Sequence, residues 1–273
     1  MRDFFSNKFR LVFGLPALVL AAGIFFAGCS PKVDVALSSD NRIQLSFTSG
    51  TGKTVAGLYF STLGVTEAES SALISDTSEL KYSLQNLGFS VAKTESAGAD
   101  ISFSASAAEA ALSSPASEIV SYGAETASSG IPSSGAKTGA AKAVDAKAGT
   151  AASVNAGKNC FSLTVTTELM QALLAQLPEE TAGWSEMLMA PLFTGEEMTE
   201  AEYAELLGAV YGNKIVEEAE NAAVTLSVTA PAQILETRIP EYAKVSVSKN
   251  TAKISIPLLS FLTEYNAVYS VIY

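Results

Sequence analysis

Lys244-Val245-Ser246-Val247-Ser248-Lys249-Asn250-Thr251-Ala252-Lys253-Ile254-Ser255-Ile256-Pro257-Leu258 decides the fold. Successive side chains of a strand point to opposite faces, so Val245 and Val247 share one face, as do Ile254, Ile256 and Leu258. Lys249-Asn250 lies between the two runs and supplies a tight turn. The pattern predicts an antiparallel hairpin with strands over Lys244 to Ser248 and Ala252 to Leu258.

Working outward, Ala223 to Thr229, Ala267 to Ile272 and Cys160 to Thr166 repeat the alternation and read as further strands. A short helix is predicted from Thr167 to Leu177, stopped by Pro178. Thr199-Glu200-Ala201-Glu202 is a capping box. Tyr203, Leu206, Leu207 and Val210 follow at helical spacing until Gly212-Asn213 interrupts them. Ile215 to Ala219 continues as another turn or two. Nearer the start, Val33 to Leu37 and Ile43 to Phe47 alternate around the turn-rich Ser39-Asp40-Asn41, and Thr54 to Phe60 reads as a third strand. Asp76 can cap a helix from about Thr77 to Leu87, where Leu80, Leu84 and Leu87 share a face and Gly88 ends it. Phe89 to Thr94 and Asp100 to Ser104 return as strands.

Helices and antiparallel hairpins on both sides of one long irregular stretch give the class α+β, an antiparallel sheet with helices packed on one face. The similar order of elements in the two flanks suggests an internal repeat. Between 105 and 158 the chain is dominated by Ala, Ser and Gly, with scattered Lys and a single aromatic, Tyr122. Such a stretch buries too little apolar surface to offset its ordering entropy. The expected organisation is therefore a leader over 1–28, a first part of the domain over 29–104, a long disordered low-complexity insertion over 105–158, and a second part over 159–273.

The leader rests on an apolar run from Leu11 to Phe26, preceded by Arg2, Lys8 and Arg10 and followed by Ala27-Gly28-Cys29. Its length suits an export signal and falls at the short edge for a spanning helix, and Pro16 interrupts it. Phe26-Ala27-Gly28-Cys29 resembles the lipobox of bacterial membrane lipoproteins, matching at Ala27, Gly28 and Cys29, with Phe26 standing where Leu is usual. The resemblance implies that Cys29 becomes the mature N-terminus and carries a thioether-linked diacylglycerol and an amide-linked acyl chain such as palmitate. Several buried chains give stable anchoring. Ser30, rather than an acidic residue, follows the cysteine, which by the same resemblance implies the outer membrane.

The chain carries a net charge of −11. Removing residues 1–28 deletes Arg2, Lys8, Arg10 and the single acid Asp3, which leaves −13. Such a chain repels phosphate backbones and anionic lipid heads, so nucleic acid is not an expected partner and the membrane contact is assigned to the lipid. With Cys29 consumed by lipidation, Cys160 is left without a cysteine partner. Phe161, Leu163 and Val165 beside it suggest a buried strand in which it packs as a small hydrophobe. The absence of histidine excludes His-dependent triads, His-ligated zinc and His general bases.

Motif matches dissolve on inspection. Gly50-Thr51-Gly52-Lys53-Thr54 lacks the first glycine of a phosphate loop, because Phe47 occupies that position, and no helix is expected after Thr54. Ser134-Gly135-Ala136-Lys137, Ser78-Glu79-Leu80-Lys81, Ser39-Asp40-Asn41 and Lys137-Thr138-Gly139 spell the motifs of penicillin-recognising enzymes. They stand in the wrong order, and Lys137 lies off any core strand. The acidic pairs Glu179-Glu180, Glu196-Glu197 and Glu217-Glu218 read as solvated faces. Gly208 and Gly212, spaced as G-x-x-x-G, suit close helix-to-sheet packing. No cofactor, metal or catalytic residue is therefore expected.

One segment stands apart. Trp184-Ser185-Glu186-Met187-Leu188-Met189-Ala190-Pro191-Leu192-Phe193 gathers the only Trp and two of the five Met between two helices. Met and aromatic side chains make adaptable contact surfaces, so Trp184, Met187, Met189 and Phe193 are the candidate contacts for a partner or ligand. The competing reading is a loop that covers the core. The expected function is a nonenzymatic, lipid-anchored cell-envelope module for binding, assembly or surface display, with an envelope protein as partner. The alternative is a carrier that encloses an apolar ligand or lipid between sheet and helices.

Overall fold

The computed structural model describes residues 30–40, 42–49, 54, 57, 78–86, 88–97, 100–108, 120–124, 159–174 and 189–273. The deciding hairpin is β9 (Lys244–Ser248) and β10 (Thr251–Pro257), with Ser248 opposite Thr251, Val247 opposite Ala252 and Val245 opposite Ile254. β10 stops one residue before the expected end. Pro257 begins a helix, α6 (Leu258–Thr263), which the strand pattern concealed because Leu258, Leu259, Ser260, Phe261 and Leu262 are all buried and show no polar face.

The remaining elements, in chain order, are β1 (Lys32–Leu37), β2 (Arg42–Thr48), α1 (Ser78–Asn86), β3 (Ser90–Ala97), β4 (Asp100–Ala108), β5 (Val120–Ala124), β6 (Asn159–Thr166), α2 (Thr167–Leu174), α3 (Pro191–Thr194), α4 (Glu200–Tyr211), α5 (Asn213–Asn221), β7 (Ala223–Thr229), β8 (Glu236–Arg238) and β11 (Asn266–Ile272). The class is α+β, but the strands form two sheets rather than one. The larger has the order β3-β4-β2-β1-β7-β10-β9 and the smaller β5-β6-β11-β8. Every pair is antiparallel except β1 with β7, where Val33 lies beside Leu226 and Val35 beside Val228. Local patterning cannot reveal that pairing, because its partners are far apart in sequence.

One hydrophobic cluster joins the inner faces of both sheets to the helices. Val33, Val35, Leu45, Phe47, Leu226, Val228, Ile254 and Ile256 come from the larger sheet, and Phe161, Leu163, Val165, Tyr269 and Val271 from the smaller. Phe47 and Phe103 stack across β2 and β4 with ring centroids 5.4 Å apart. The opposite face of the larger sheet is hydroxyl-rich. Ser46, Ser104, Ser106, Thr225, Ser227, Thr229 and Ser255 alternate there with the buried residues and stay half-exposed.

The stretch read as an insertion over 105–158 contains structure at its start and in its interior. β4 runs on to Ala108, and β5 pairs with β6 from Val120 opposite Leu163 to Ala124 opposite Asn159. In β4, Ala105 and Ala107 face inward and are buried, while Ser104 and Ser106 face outward. Low apolar content hid a regular alternation whose inward positions require only a methyl group. The rest of the stretch lies outside the described residues. Thr54 and Gly57 are helical, against the strand expected over Thr54 to Phe60 and the expected lack of a helix at Thr54; the other residues of that span are not described. Phe47 remains a buried strand residue, so the phosphate-loop pattern still lacks its first glycine.

Candidate functional site

The lipidation candidate Cys29 lies just before the described chain. Ser30 and Pro31 alone separate it from β1, and the Pro31 carbonyl already accepts a hydrogen bond from Thr225 N–H at 2.8 Å. An extended chain advances at most about 3.6 Å per residue, so Cys29 is within about 11 Å of Lys32. β1 occupies the middle of the larger sheet. Any group attached to Cys29 is therefore held close to the end of a central strand.

The Trp184-to-Phe193 segment divides. Trp184 and Met187 lie outside the described residues. Met189 is half-buried in a turn at φ 46°, a left-handed conformation that is uncommon for a residue with a side chain. Pro191 then opens α3, whose missing N–H has no helical partner to lose. Gly195, at φ 78°, closes the turn by donating its N–H to the Pro191 carbonyl at 2.8 Å. Ala190, Leu192 and Phe193 are core residues, and Phe193 is 5% exposed. The Phe193 carbonyl accepts from Gln171 Nε2 at 2.9 Å, which ties α3 to α2. Phe193 thus packs the interior, as the competing core-covering reading has it, and presents no contact face. Met189 alone of the described candidates reaches the surface.

Sequence reasoning missed a groove of about 450 Å³ lined by Thr54, Lys214, Glu217, Glu218 and Asn221. Its lining comes from α5 and from Thr54, and α4 packs against α5 beside it. A side chain at Gly208 would meet Val216 Cγ2 at 3.3 Å, so this glycine permits helix-to-helix approach rather than the expected helix-to-sheet packing. Gly212, at φ 89°, makes the turn that separates α5 as a helix of its own. Glu218 accepts hydrogen bonds from the Thr54 N–H at 3.0 Å and from the Thr54 hydroxyl. Asn221 Nδ2 donates to the Glu217 carbonyl at 2.7 Å, closing the C-terminal turn of α5. Glu217 is exposed and Glu218 half-buried, so one member of this acidic pair is a structural link rather than a solvated group. Among the described residues no three His, Cys, Asp or Glu side chains come together in a metal-binding arrangement.

Cys160 sits on β6 but not in the core. It alternates with Phe161 and therefore shares the outer side with Ser162 and Thr164, where it is half-buried with Sγ 3.4 Å from Ser162 Oγ. The expectation of a buried cysteine took the strand correctly and its face wrongly. Two tyrosine hydroxyls pair beneath the surface instead. Tyr242 and Tyr269 hydroxyls are 3.0 Å apart, and burial raises both above the ordinary tyrosine value, with Glu264 adding to the effect. Burial likewise raises Tyr203.

No protein-family model, curated protein or solved structure matches this chain.

Proposed function

We propose that the chain is a lipid-anchored cell-envelope protein whose α+β domain serves as a nonenzymatic module for binding, assembly or display. One observation carries the reading: Ala27-Gly28-Cys29 closes an apolar run, and β1 begins at Lys32, so an acylated Cys29 tethers a central strand directly. Charge supports it. Glu196, Glu197, Glu200, Glu202, Glu205, Glu217 and Glu220 are exposed on and before α4 and α5, with Lys214 the sole base in that stretch. Such a surface is repelled by anionic lipid heads, so attachment falls to the acyl chains.

The test is the intact mass of the full-length protein extracted from a bacterial envelope after labelling with a clickable palmitate analogue. The expected product begins at Cys29 with acyl groups attached, and Cys29→Ser loses both label and membrane association. An unmodified N-terminus, or a Cys29→Ser protein that stays in the membrane fraction, refutes the anchor.

A further inference from the structure

We propose that β9 is a pairing edge through which two copies of this chain join, antiparallel, into one continuous sheet. Four observations on β9 lead there. It closes one side of the seven-stranded sheet, and β10 is its sole ladder partner among the described residues. All five of its residues are exposed. Val245 and Val247 lie opposite Ile254 and Ala252, so they belong to the apolar inner face, yet they are 38% and 48% exposed. The core face of the sheet thus runs out, uncovered, at this edge.

Two of the other strand edges, β3 and β8, are short or blunted in the ways that natural sheets use against unwanted pairing, while β5, five residues long like β9, lacks the inward valine pair of β9. β3, at the far side of the same sheet, carries a register shift between Val91 and Lys93 and the exposed Lys93–Glu95 ion pair at 2.6 Å. β8 has only three residues. β9 has neither a bulge nor an acid, and its ladder to β10 is unbroken.

Its order of residues selects the occupant. Lys244-Val245-Ser246-Val247-Ser248 pairs with itself about Ser246. In that register Val245 meets Val247 of the second copy twice, on the inner face, and Ser246 meets Ser246. Lys244 meets Ser248, so no lysine opposes a lysine. At about 3.3 Å per residue the two Lys244 residues stand about 13 Å apart along the strands. Lys253, opposite Ser246 on β10, is about 14 Å from its mate across three strand spacings. Both separations exceed the Debye length of about 8 Å in physiological salt, so their repulsion is screened. A one-residue slip would bring valine against serine on the wrong face, which fixes the register.

A five-residue ladder buries less than a standard interface of about 1,600 Å². The association is therefore weak and is read at high micromolar concentration. Ser246→Cys, made in full-length Cys160→Ser protein in detergent, brings the Cα atoms of the two introduced cysteines to about 4.5 to 5.5 Å, within disulfide reach. The expected result is a covalent dimer on mild oxidation, beyond any formed by the parent that keeps Cys29 alone. Lys244→Cys mixed with Ser248→Cys crosslinks, while Ser248→Cys by itself does not. Val245→Lys with Val247→Lys abolishes the dimer in sedimentation without lowering the melting temperature, since both side chains are already exposed. A monomer at every concentration, a dimer that survives the double lysine variant, or crosslinking of Ser248→Cys as efficient as that of Ser246→Cys overturns the proposal.

Discussion

Tyr265 holds Met198: its hydroxyl accepts the Met198 backbone N–H at 2.6 Å and donates to the Glu196 carbonyl at 2.6 Å. Tyr265 lies between α6 and β11, and Met198 immediately precedes the N-cap Thr199 of α4, so one phenol fixes where that helix enters the fold. Removing the hydroxyl leaves a half-buried N–H to water. Tyr265→Phe should destabilise the domain by about 1 kcal/mol, the net worth of a typical hydrogen bond, in urea unfolding. An unchanged midpoint would mean that water replaces the phenol without loss.

Phe193 distinguishes a core side chain from a contact side chain. Its ring is buried with Leu192 and Ala190. Phe193→Ala should cost about 3 to 5 kcal/mol through lost transfer energy and the cavity left behind. The urea midpoint checks this; full stability with loss of a binding partner would instead return Phe193 to the surface.

The α4 capping box predicts an acid limit. Backbone and hydroxyl hydrogen bonds from Thr199 hold Glu202 below its ordinary value of 4.5. A carboxylate depressed in the folded state stabilises above its unfolded value, and that contribution is lost as pH falls through the folded value. Asp40 and Glu168 are lowered too, by side-chain acceptance from Ser38 and by the Glu168 backbone N–H. Stability should decline below about pH 4.5, and Glu202→Gln, which keeps the reciprocal hydrogen bonds without a titrating charge, should flatten that decline. Thermal melts of both proteins between pH 3 and pH 6 decide it; parallel curves would remove Glu202 from the effect.

The hairpin turn stores removable strain. Lys249 sits at φ 51°. Its carbonyl accepts from Ile234 N–H at 2.9 Å and the next residue, Asn250, donates Nδ2 to the Ala230 carbonyl at 3.0 Å, so the tip cannot relax away. Lys249→Gly relieves about 1 to 2 kcal/mol of left-handed strain and gives back part of it through a more flexible unfolded chain. A net gain of about 0.5 to 1 kcal/mol is expected in urea unfolding; a loss would show that glycine's entropy outweighs the strain.

Much of the local structure was legible because it is governed by spacing. The β9–β10 hairpin, the Thr199–Glu202 capping box and the inward residues of β1, β2, β6 and β7 follow from periods of two and 3.6 acting on apolar side chains. Legibility failed where composition was uniform. Leu258 to Leu262, buried throughout with Ser260 its one hydroxyl, gave no helical stripe, and the alternating Ala and Ser of β4 gave no apolar one. Of the candidate contacts, the composition of Trp184 to Phe193 marked an unusual segment but could not assign Phe193 to the interior.

By itself the sequence determined the α+β class, the hairpin that edges the larger sheet, the Thr199–Glu202 capping box and the position of Cys29 beside the first strand, because each depends on residues close together in the chain. Tertiary structure alone decided the division into two sheets, the parallel contact of β1 with β7, the Thr54–Glu218 link and the uncovered inner face at β9. Those depend on which distant surfaces exclude water together, and hydrophobic burial is non-directional, so local pattern says that a face is buried without saying against what.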